Sequence, residues 1–114
     1  MNKRTFPPVL PSAPADLVAV PVGGFQVLLA WTEHGAGALE FCIKRADGSG
    51  SACRFSVIGR AGRHVTAFRD GSVKPRKTYS YRVHAWNTSG DSSSSNVVEV
   101  TTPQAGADSP AAKE

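Results

Sequence analysis

Apolar side chains recur at every second position along three segments, and this period of two is the feature that most constrains the fold. It predicts β-strands with one buried and one solvated face. The inward sets are Phe25, Val27, Leu29 and Trp31 in 25–31 (FQVLLAW), Leu39, Phe41 and Ile43 in 39–45 (LEFCIKR), and Tyr79, Tyr81, Val83 and Ala85 in 79–85 (YSYRVHA). Because no helical stripe continues for ten residues, the pattern predicts an all-β chain.

Four shorter apolar segments complete the set of candidate strands. They are 16–20 (DLVAV), 55–59 (FSVIG), 65–68 (VTAF) and 96–102 (NVVEVTT). Turn-forming residues separate nearly every pair of strands, in the segments 21–24 (PVGG), 33–37 (EHGAG), 47–50 (DGSG), 59–62 (GRAG), 70–76 (DGSVKPR) and 87–93 (NTSGDSS). This spacing predicts a seven-stranded antiparallel sandwich of two sheets, of the immunoglobulin-like class. Pro14 and Pro21 bracket the first strand, which suits an edge position.

The size and the two ends of the sequence indicate one module of a longer chain. With 114 residues and 40% hydrophobic content, the chain suits one domain with one core, which we expect at 13–102. Residues 1–12 and 103–114 are rich in proline, alanine and small polar residues, which is typical of disordered linkers. Neither a membrane span nor a secretory signal is predicted, because no run of 18 apolar residues exists and none follows the basic start (MNKR).

The charge balance is mildly basic. Thirteen lysines and arginines against nine acidic residues give a formal net charge of +4. A dedicated nucleic-acid-binding domain usually carries more. The net charge alone therefore does not decide the partner, and we expect neither nucleic acid nor membrane as one.

The residue types that carry catalysis or bind metals do not form a recognisable pattern. His34 and His64 fall in or beside predicted turns, His84 falls on the solvent face of a strand, and no nucleophile-elbow motif accompanies them. The histidines lack metal-ligand spacing, and Cys42 and Cys53 form no C-x-x-C pair. We therefore predict no catalytic residue, no metal site and no cofactor, and expect the domain not to be an enzyme.

The segments PSAPADLVAV (11–20), VLLAWT (27–32) and VKPRKTYSYRVHAWNTSGDSSSSNVVEVTT (73–102) closely resemble a fibronectin type III domain. The resemblance covers about residues 11–102. Its most specific part is the series Val73, Pro75, Tyr79, Tyr81, Val83, Ala85, Asn87, Gly90 and Ser92. Family members usually have a leucine at Val73, a glycine at Arg76 and a threonine at Lys77, so this chain has a more basic turn.

The resemblance implies structural roles for four core residues. Trp31 is the central core side chain, which we expect to be the most buried aromatic residue. Tyr79 forms the tyrosine corner, with its ring buried and its hydroxyl bonded to the backbone near Val73. Tyr81 and Val83 complete the core of the same strand.

Basic residues are concentrated in one part of the sequence. Residues 54–84 contain eight lysines and arginines but only one acidic residue, Asp70. The basic residues are Arg54, Arg60, Arg63, Arg69, Lys74, Arg76, Lys77 and Arg82. Some fibronectin type III domains bind sulfated polysaccharides through such patches. A possible polyanion contact is therefore formed by Arg69, Lys74, Arg76 and Lys77, which one loop and its flanks hold together. Against it, the loops flanking the fifth strand lie at opposite ends of a sandwich and would divide the charge.

Two covalent features are left open by the sequence. A two-residue turn at 47–48 would place Cys42 opposite Cys53 and allow a disulfide, whereas a register with Phe55 and Val57 facing the core would point the two cysteines to opposite faces. Asn87 begins an N-x-S triplet on a predicted exposed turn, which is a glycosylation sequence in some contexts.

Together these features favour a non-catalytic spacer, or a module that contacts proteins or glycans, in a longer exported protein. We expect an extracellular or cell-surface location, neighbouring domains of the parent protein as partners, and a monomer. The alternative is an accessory domain that helps an attached extracellular enzyme to bind its substrate or a polyanionic glycan.

Overall fold

The computed structural model describes residues 9–35, 37–49 and 54–105, which form a sandwich of two antiparallel β-sheets. The described residues contain the strands β1 (Ala15–Pro21), β2 (Val27–Thr32), β3 (Glu40–Asp47), β4 (Ser56–Gly62), β5 (Ala67–Asp70), β6 (Thr78–Asn87), β7 (Gly90–Asp91) and β8 (Val98–Thr101). One sheet has the order β1-β2-β5; the other has the order β4-β3-β6-β7, with β8 also paired to β6. The predicted sandwich is confirmed, with the two-residue β7 as an additional strand, and β1 is an edge strand as its prolines predict.

The core lies between the two sheets and is formed by the inward residues of the alternating segments. Trp31 contacts Phe41 across the sandwich with ring centroids 5.6 Å apart. Trp31 is not the most buried aromatic residue, because it is 5% exposed whereas Tyr81 is 0% exposed. Tryptophan is large enough that it is rarely covered completely, so the prediction of its rank was wrong although its place in the core was right.

Two residues that were predicted to lie in the core are exposed instead, and both lie just before the start of a strand. Phe25 and Leu39 were expected to face inward, yet they are 55% and 36% exposed. Each precedes its strand, since β2 begins at Val27 and β3 begins at Glu40. The alternation therefore stops at the strand boundary, which the sequence pattern does not mark.

β4 continues past its predicted end at Gly59. The segment 59–62 was interpreted as a turn, but β4 continues to Gly62. A Cβ atom at Gly59 would lie 2.4 Å from Cζ of Phe68, so the missing side chain gives the Phe68 ring room between the edges of the two sheets. Glycine in a strand often marks such a close approach.

The register of β3 and β4 differs from both alternatives considered for the cysteines. Cys42 lies opposite Arg60 on β4 and opposite His84 on β6, and a bulge follows Ile43. Val57 pairs with Lys44 and is 48% exposed, so it faces outward and not into the core. Cys42 is a buried free thiol, and Cys53 lies outside the described residues.

In the serine-rich segment before β8, side chains make hydrogen bonds that backbone groups of a paired strand would otherwise make. Ser92 Oγ accepts a 2.8 Å hydrogen bond from the Ala85 amide, and Ser95 Oγ accepts a 3.0 Å bond from the Val83 amide. The amide group of Asn96 bonds both backbone groups of Leu17, at 2.9 and 3.0 Å. These side chains satisfy backbone groups of β6 and β1 that no neighbouring strand reaches.

The predicted linkers fall largely on residues 1–8 and 106–114, which lie outside the described residues, so the linkers and the boundaries 13–102 stay predictions. At the described ends, the Val9 carbonyl accepts a 3.0 Å bond from Asn87, and the Pro103 carbonyl accepts a 3.2 Å bond from the Arg76 amide.

Candidate interaction surface

An acidic side chain is buried between the two sheets with a full set of donors. Asp70, at the end of β5, is 3% exposed. Its Oδ2 accepts a 2.7 Å bond from the Tyr81 hydroxyl and a 3.0 Å bond from Arg45 Nη1. Its Oδ1 accepts bonds from the amide and the hydroxyl of Ser72, at 3.0 and 2.7 Å. The carboxylate therefore joins the three-stranded sheet to β3 and β6 of the other sheet.

The pKa shifts in this cluster indicate that it is held in one charge state. Burial opposes the charge of Asp70, but hydrogen bonds from Tyr81, Ser72 and Arg45 outweigh it and lower the pKa of the carboxyl group. Burial and the hydrogen bond to Asp70 raise the pKa of Tyr81. The Asp70 carboxylate and the Tyr81 hydroxyl therefore bind each other, and the role of the cluster is to stabilise the fold.

Sequence reasoning missed this cluster because Asp70 was interpreted as a turn residue. A signal was present, since Arg45 occupies the next inward position after Phe41 and Ile43 in the alternating segment 39–45. A charged residue at an inward position requires a buried partner of opposite charge. The partner itself is distant in sequence and was not predictable from spacing.

Tyr79 has the geometry that the resemblance implies. Its hydroxyl accepts a 2.8 Å bond from the Lys74 amide, next to Val73. Its ring is 2% exposed and is covered by the Arg45 guanidinium at 4.9 Å and by Lys77 Nζ at 5.6 Å. Tyr81 and Val83 are fully buried in the same strand.

The four residues of the predicted polyanion contact lie on two different elements. Lys74, Arg76 and Lys77 are exposed in the loop between β5 and β6, and Lys77 Nζ lies 3.6 Å from Asp47 Oδ2. Arg76 has a positive φ of 59°, a conformation that suits the glycine which the family resemblance implies at this position. Arg69 lies on β5, where its guanidinium donates a 2.8 Å bond to Gln26. The basic loop is thus a group of three, with Arg69 on the adjoining strand.

The outward side of β3 and β6 carries polar groups that pair with one another. Trp86 Nε1 donates a 2.8 Å bond to Glu40, and His84 Nε2 lies 3.6 Å from Asp91 Oδ1. Although His84 is on the predicted solvent face, it is only 9% exposed, and this burial lowers its pKa. Burial likewise raises the pKa of the Cys42 thiol. Within the described ranges, no group of three or more histidine, cysteine, aspartate and glutamate residues is placed to hold a metal ion.

The outward side of the three-stranded sheet is apolar, in contrast. We call it the apolar face, and its members are Val18, Val20, Leu28, Ala30 and Ala67. Val18 and Val20 are 53% and 54% exposed, and Leu28 is 37% exposed. The register aligns Val18 with Ala30 and Val20 with Leu28, so the side chains form continuous rows across the strands. An apolar side on a solvated sheet is the feature that most clearly indicates a contact surface.

Asn87 serves the fold through its side-chain amide, whose nitrogen is the atom that glycosylation would modify. Its Nδ2 donates to the carbonyls of Val9 and Gly37, at 3.0 and 3.1 Å, and its Oδ1 accepts from the Ser89 amide at 2.8 Å. A glycan on Nδ2 would remove one of these donors. These bonds account for Asn87 by its role in the turn, where asparagine is common because its side chain bonds nearby backbone groups.

Comparisons with known proteins agree with this architecture. No protein-family model matches the chain. The fibronectin type III domain of human fibronectin type III domain containing protein 3 superimposes with a TM-score of 0.67 at 22% identity, over 88% of this chain and 93% of that one. The FN5 domain of Drosophila Lar gives a TM-score of 0.66 at 20% identity, over 82% and 97%. The chain therefore has the fibronectin type III fold, a β-sandwich that occurs as a module in larger proteins.

The similar proteins differ in kind. A fibroblast growth factor receptor of Strongylocentrotus purpuratus is 31% identical over 83 residues, which are 68% of this chain and 8% of the receptor. A titin segment superimposes with a TM-score of 0.72 at 22% identity, over 83% of this chain and 33% of that one. The chain thus spans a small part of the receptor that it matches. In the described ranges, no helix is long and apolar enough to cross a bilayer.

Proposed function

We propose that this chain is a non-catalytic interaction module of a longer multidomain protein, and that the apolar face is its contact surface. The observation that carries the proposal is the exposure of Val18, Val20 and Leu28 in adjacent rows of one sheet. Asp70, the most deeply buried charged group among the described residues, is fully engaged in holding the sheets together. Neighbouring domains of the parent protein are the expected partners, as modules of this fold occur in receptors, and an extracellular or cell-surface location belongs to the same proposal.

The face is suited to contact because its side chains add little to the stability of the isolated module. An apolar residue that remains about half exposed gains only part of the free energy of burial. The adjacent inward residues, such as Leu29 at 2% exposure, form the core instead. The isolated module does not depend on these side chains for its stability, and their exposure to water is unfavourable. The apolar face is therefore available to a partner.

The experiment replaces Val20 and Leu28 together by threonine and uses the dye ANS as the probe. At protein concentrations low enough for a monomer, we expect ANS fluorescence to fall in the double variant while the free energy of unfolding changes by less than about 1 kcal/mol. The control is Val57→Thr, which removes an equally exposed apolar side chain from the other sheet. Unchanged dye binding, or a large loss of stability, would count against the apolar face as a contact surface.

A second candidate function is polyanion binding by the basic loop, with Arg69 on its flank. It is supported by the exposure of Lys74, Arg76 and Lys77 in one loop and by the unfavourable φ of Arg76. A residue that keeps a costly conformation suggests a use for its side chain. A role in substrate or polyanionic glycan binding by an attached extracellular enzyme would rest on this loop.

A further inference from the structure

The apolar face contains a depression with a volume of about 510 Å³. Two of its smallest members lie side by side there, because Ala30 of β2 pairs with Ala67 of β5 and both are exposed. Leu29 and Phe68, the residues next to these alanines in the two strands, also line the depression. The face is therefore concave around the alanine pair, and it has room for a large apolar group such as an aromatic ring.

A positive charge borders the depression. Arg69 lies two residues after Ala67, on the same side of β5, and its side chain is part of the lining. Its guanidinium donates a 2.8 Å bond to the neutral side chain of Gln26, which orients it at this position. Among the residues that the structure describes, no carboxylate forms an ion pair with Arg69. An occupant with a negative charge next to its apolar group would complement the depression.

The depression is open to solvent, which favours a protein segment as its occupant. Sites for small molecules usually enclose most of the surface of their ligand. Here Val18 and Val20, beside the alanine pair, remain 53% and 54% exposed. A protein partner can fill the depression with one side chain and cover these valines with neighbouring residues. Such an aromatic anchor, surrounded by contacts that exclude water, is common at the centre of protein interfaces.

We propose that the occupant is an extended segment of a partner protein, which places an aromatic side chain over Ala30 and Ala67 and pairs an acidic side chain, two residues away, with Arg69. The proposal rests on the function proposed above, that the apolar face is a contact surface. Residues two positions apart on a strand lie on one face at a distance of about 6.8 Å. Ala67 and Arg69 have this spacing on β5, so a segment that runs along β5 presents its two side chains to them. The spacing is the same in both directions, so the acid can precede or follow the aromatic residue.

The probe is the peptide acetyl-Asp-Thr-Phe-Thr-Asp-amide, which carries an acid on either side of the aromatic residue. It is titrated into the isotope-labelled full chain, and binding is followed by the amide NMR signals of Ala30, Ala67 and Arg69. We expect these signals to shift, with a dissociation constant in the millimolar range. A peptide with asparagine in place of both aspartates should bind about threefold more weakly, as expected for the loss of a partly exposed ion pair. A peptide with alanine in place of phenylalanine should not bind.

Two variants of the chain test the same contacts from the other side. Ala67→Ile fills the depression and should abolish binding of the peptide, whereas Val57→Ile enlarges an exposed side chain on the other sheet and should not. Arg69→Glu should weaken binding of the aspartate peptide at least fivefold and should favour acetyl-Lys-Thr-Phe-Thr-Lys-amide instead. Arg63→Glu is the matched charge control, because Arg63 is exposed in the turn after β4. The amide spectra verify that each variant is folded.

Three results would overturn this occupant. The first is the absence of shifts up to the solubility limit of the peptide, which, for a chain that sediments as a dimer, would assign the face to a second copy. The second is equal binding of the aspartate and asparagine peptides. The third is tighter binding of 4-phenylbutyrate than of the peptide, which would assign the depression to a free amphipathic acid. In each case, lower ANS fluorescence of the Val20 and Leu28 double variant would still support the apolar face as a contact surface, so the two proposals fail separately.

Discussion

The hydroxyl of Tyr81 donates a 2.7 Å hydrogen bond to the carboxylate of Asp70, and this bond connects the two sheets inside the sandwich. Tyr81 is fully buried and Asp70 is 3% exposed. Removal of one member leaves a buried polar atom of the other without its partner. That loss usually costs more than the bond itself contributes.

Tyr81→Phe is therefore expected to lower the free energy of unfolding by about 1 to 3 kcal/mol. Urea denaturation of this variant, of Asp70→Asn and of the combination measures the coupling. We expect the double variant to be less destabilised than the sum of the two single variants, because both act on one bond. Additive effects would show that the two side chains do not interact in solution.

The stability of the domain is expected to decrease in acid because of Asp70. Its pKa is lowered from 3.8 in the folded state, so the unfolded chain binds the proton more readily. The contribution of Asp70 is fully present above about pH 5 and is lost as the pH falls through the folded-state pKa. Urea midpoints measured between about pH 6 and 2 should fall less steeply for Asp70→Asn. Equal slopes would contradict the assignment.

A second loss of stability in acid is expected from His84, at a higher pH. Burial lowers its pKa from 6.5, so its protonation favours the unfolded chain. The contribution is present above pH 6.5 and decreases as the pH falls below that value. His84→Gln should remove this step while the step of Asp70 remains. His34→Gln is the control, because His34 is exposed in the loop after β2.

Gly59→Ala is expected to destabilise the sandwich, whereas Gly62→Ala in the same strand is not. A Cβ at Gly59 would lie 2.4 Å from Cζ of Phe68, and one at Gly62 would meet nothing within 4 Å. Displacement of the Phe68 ring should cost about 1 to 3 kcal/mol, as overpacked sites generally do. Thermal unfolding compares the two variants directly, and equal midpoints would show that Phe68 does not pack over Gly59.

Asn96→Ala is expected to loosen the contact between β1 and the segment before β8. The substitution removes the partners of the Leu17 amide and carbonyl. We expect a loss of about 1 to 3 kcal/mol and faster hydrogen exchange of the Leu17 amide. Ser94→Ala is the control, since Ser94 is exposed in the same segment. Unchanged exchange at Leu17 would contradict the role of Asn96.

Arg76→Gly separates stability from polyanion binding. Glycine relieves the positive φ of 59°, which should raise the stability by up to about 1 kcal/mol. If the basic loop binds sulfated glycans, the same variant should elute earlier from heparin, and the triple alanine variant of Lys74, Arg76 and Lys77 should elute in the wash. At about 0.15 M salt, interactions between exposed charges are screened beyond about 8 Å. Elution of the unchanged chain below that salt concentration would rule out this second candidate function.

The sequence predicted those parts of the fold that depend on local pattern. Val27, Leu29 and Val83 stand at every second position of their strands, and all three are buried. The tyrosine corner was accessible through the resemblance, because Tyr79 and Val73 are close in sequence. Strand ends were less accessible, as Phe25 and Leu39 show, because alternation does not mark where pairing stops.

The features that sequence reasoning missed depend on contacts between distant residues. Asp70 and Arg45 are 25 positions apart, and Leu17 and Asn96 are 79 apart. The apolar face was hidden for a different reason. Val18 and Val20 were assigned to a strand, but only the pairing of β2 with both β1 and β5 shows that their rows continue through Leu28 and Ala67.

The adjacent leucines of β2 provide the most direct measurement of the central claim, that one side of the three-stranded sheet serves the fold and the other serves contact. Leu29 is 2% exposed and Leu28 is 37% exposed. At a concentration where the chain sediments as a monomer, Leu29→Thr should lower the free energy of unfolding by more than about 2 kcal/mol, and Leu28→Thr should change it by less than about 0.5 kcal/mol. Equal and large losses at both positions would show that the fold requires the apolar face, and would contradict its assignment as a contact surface.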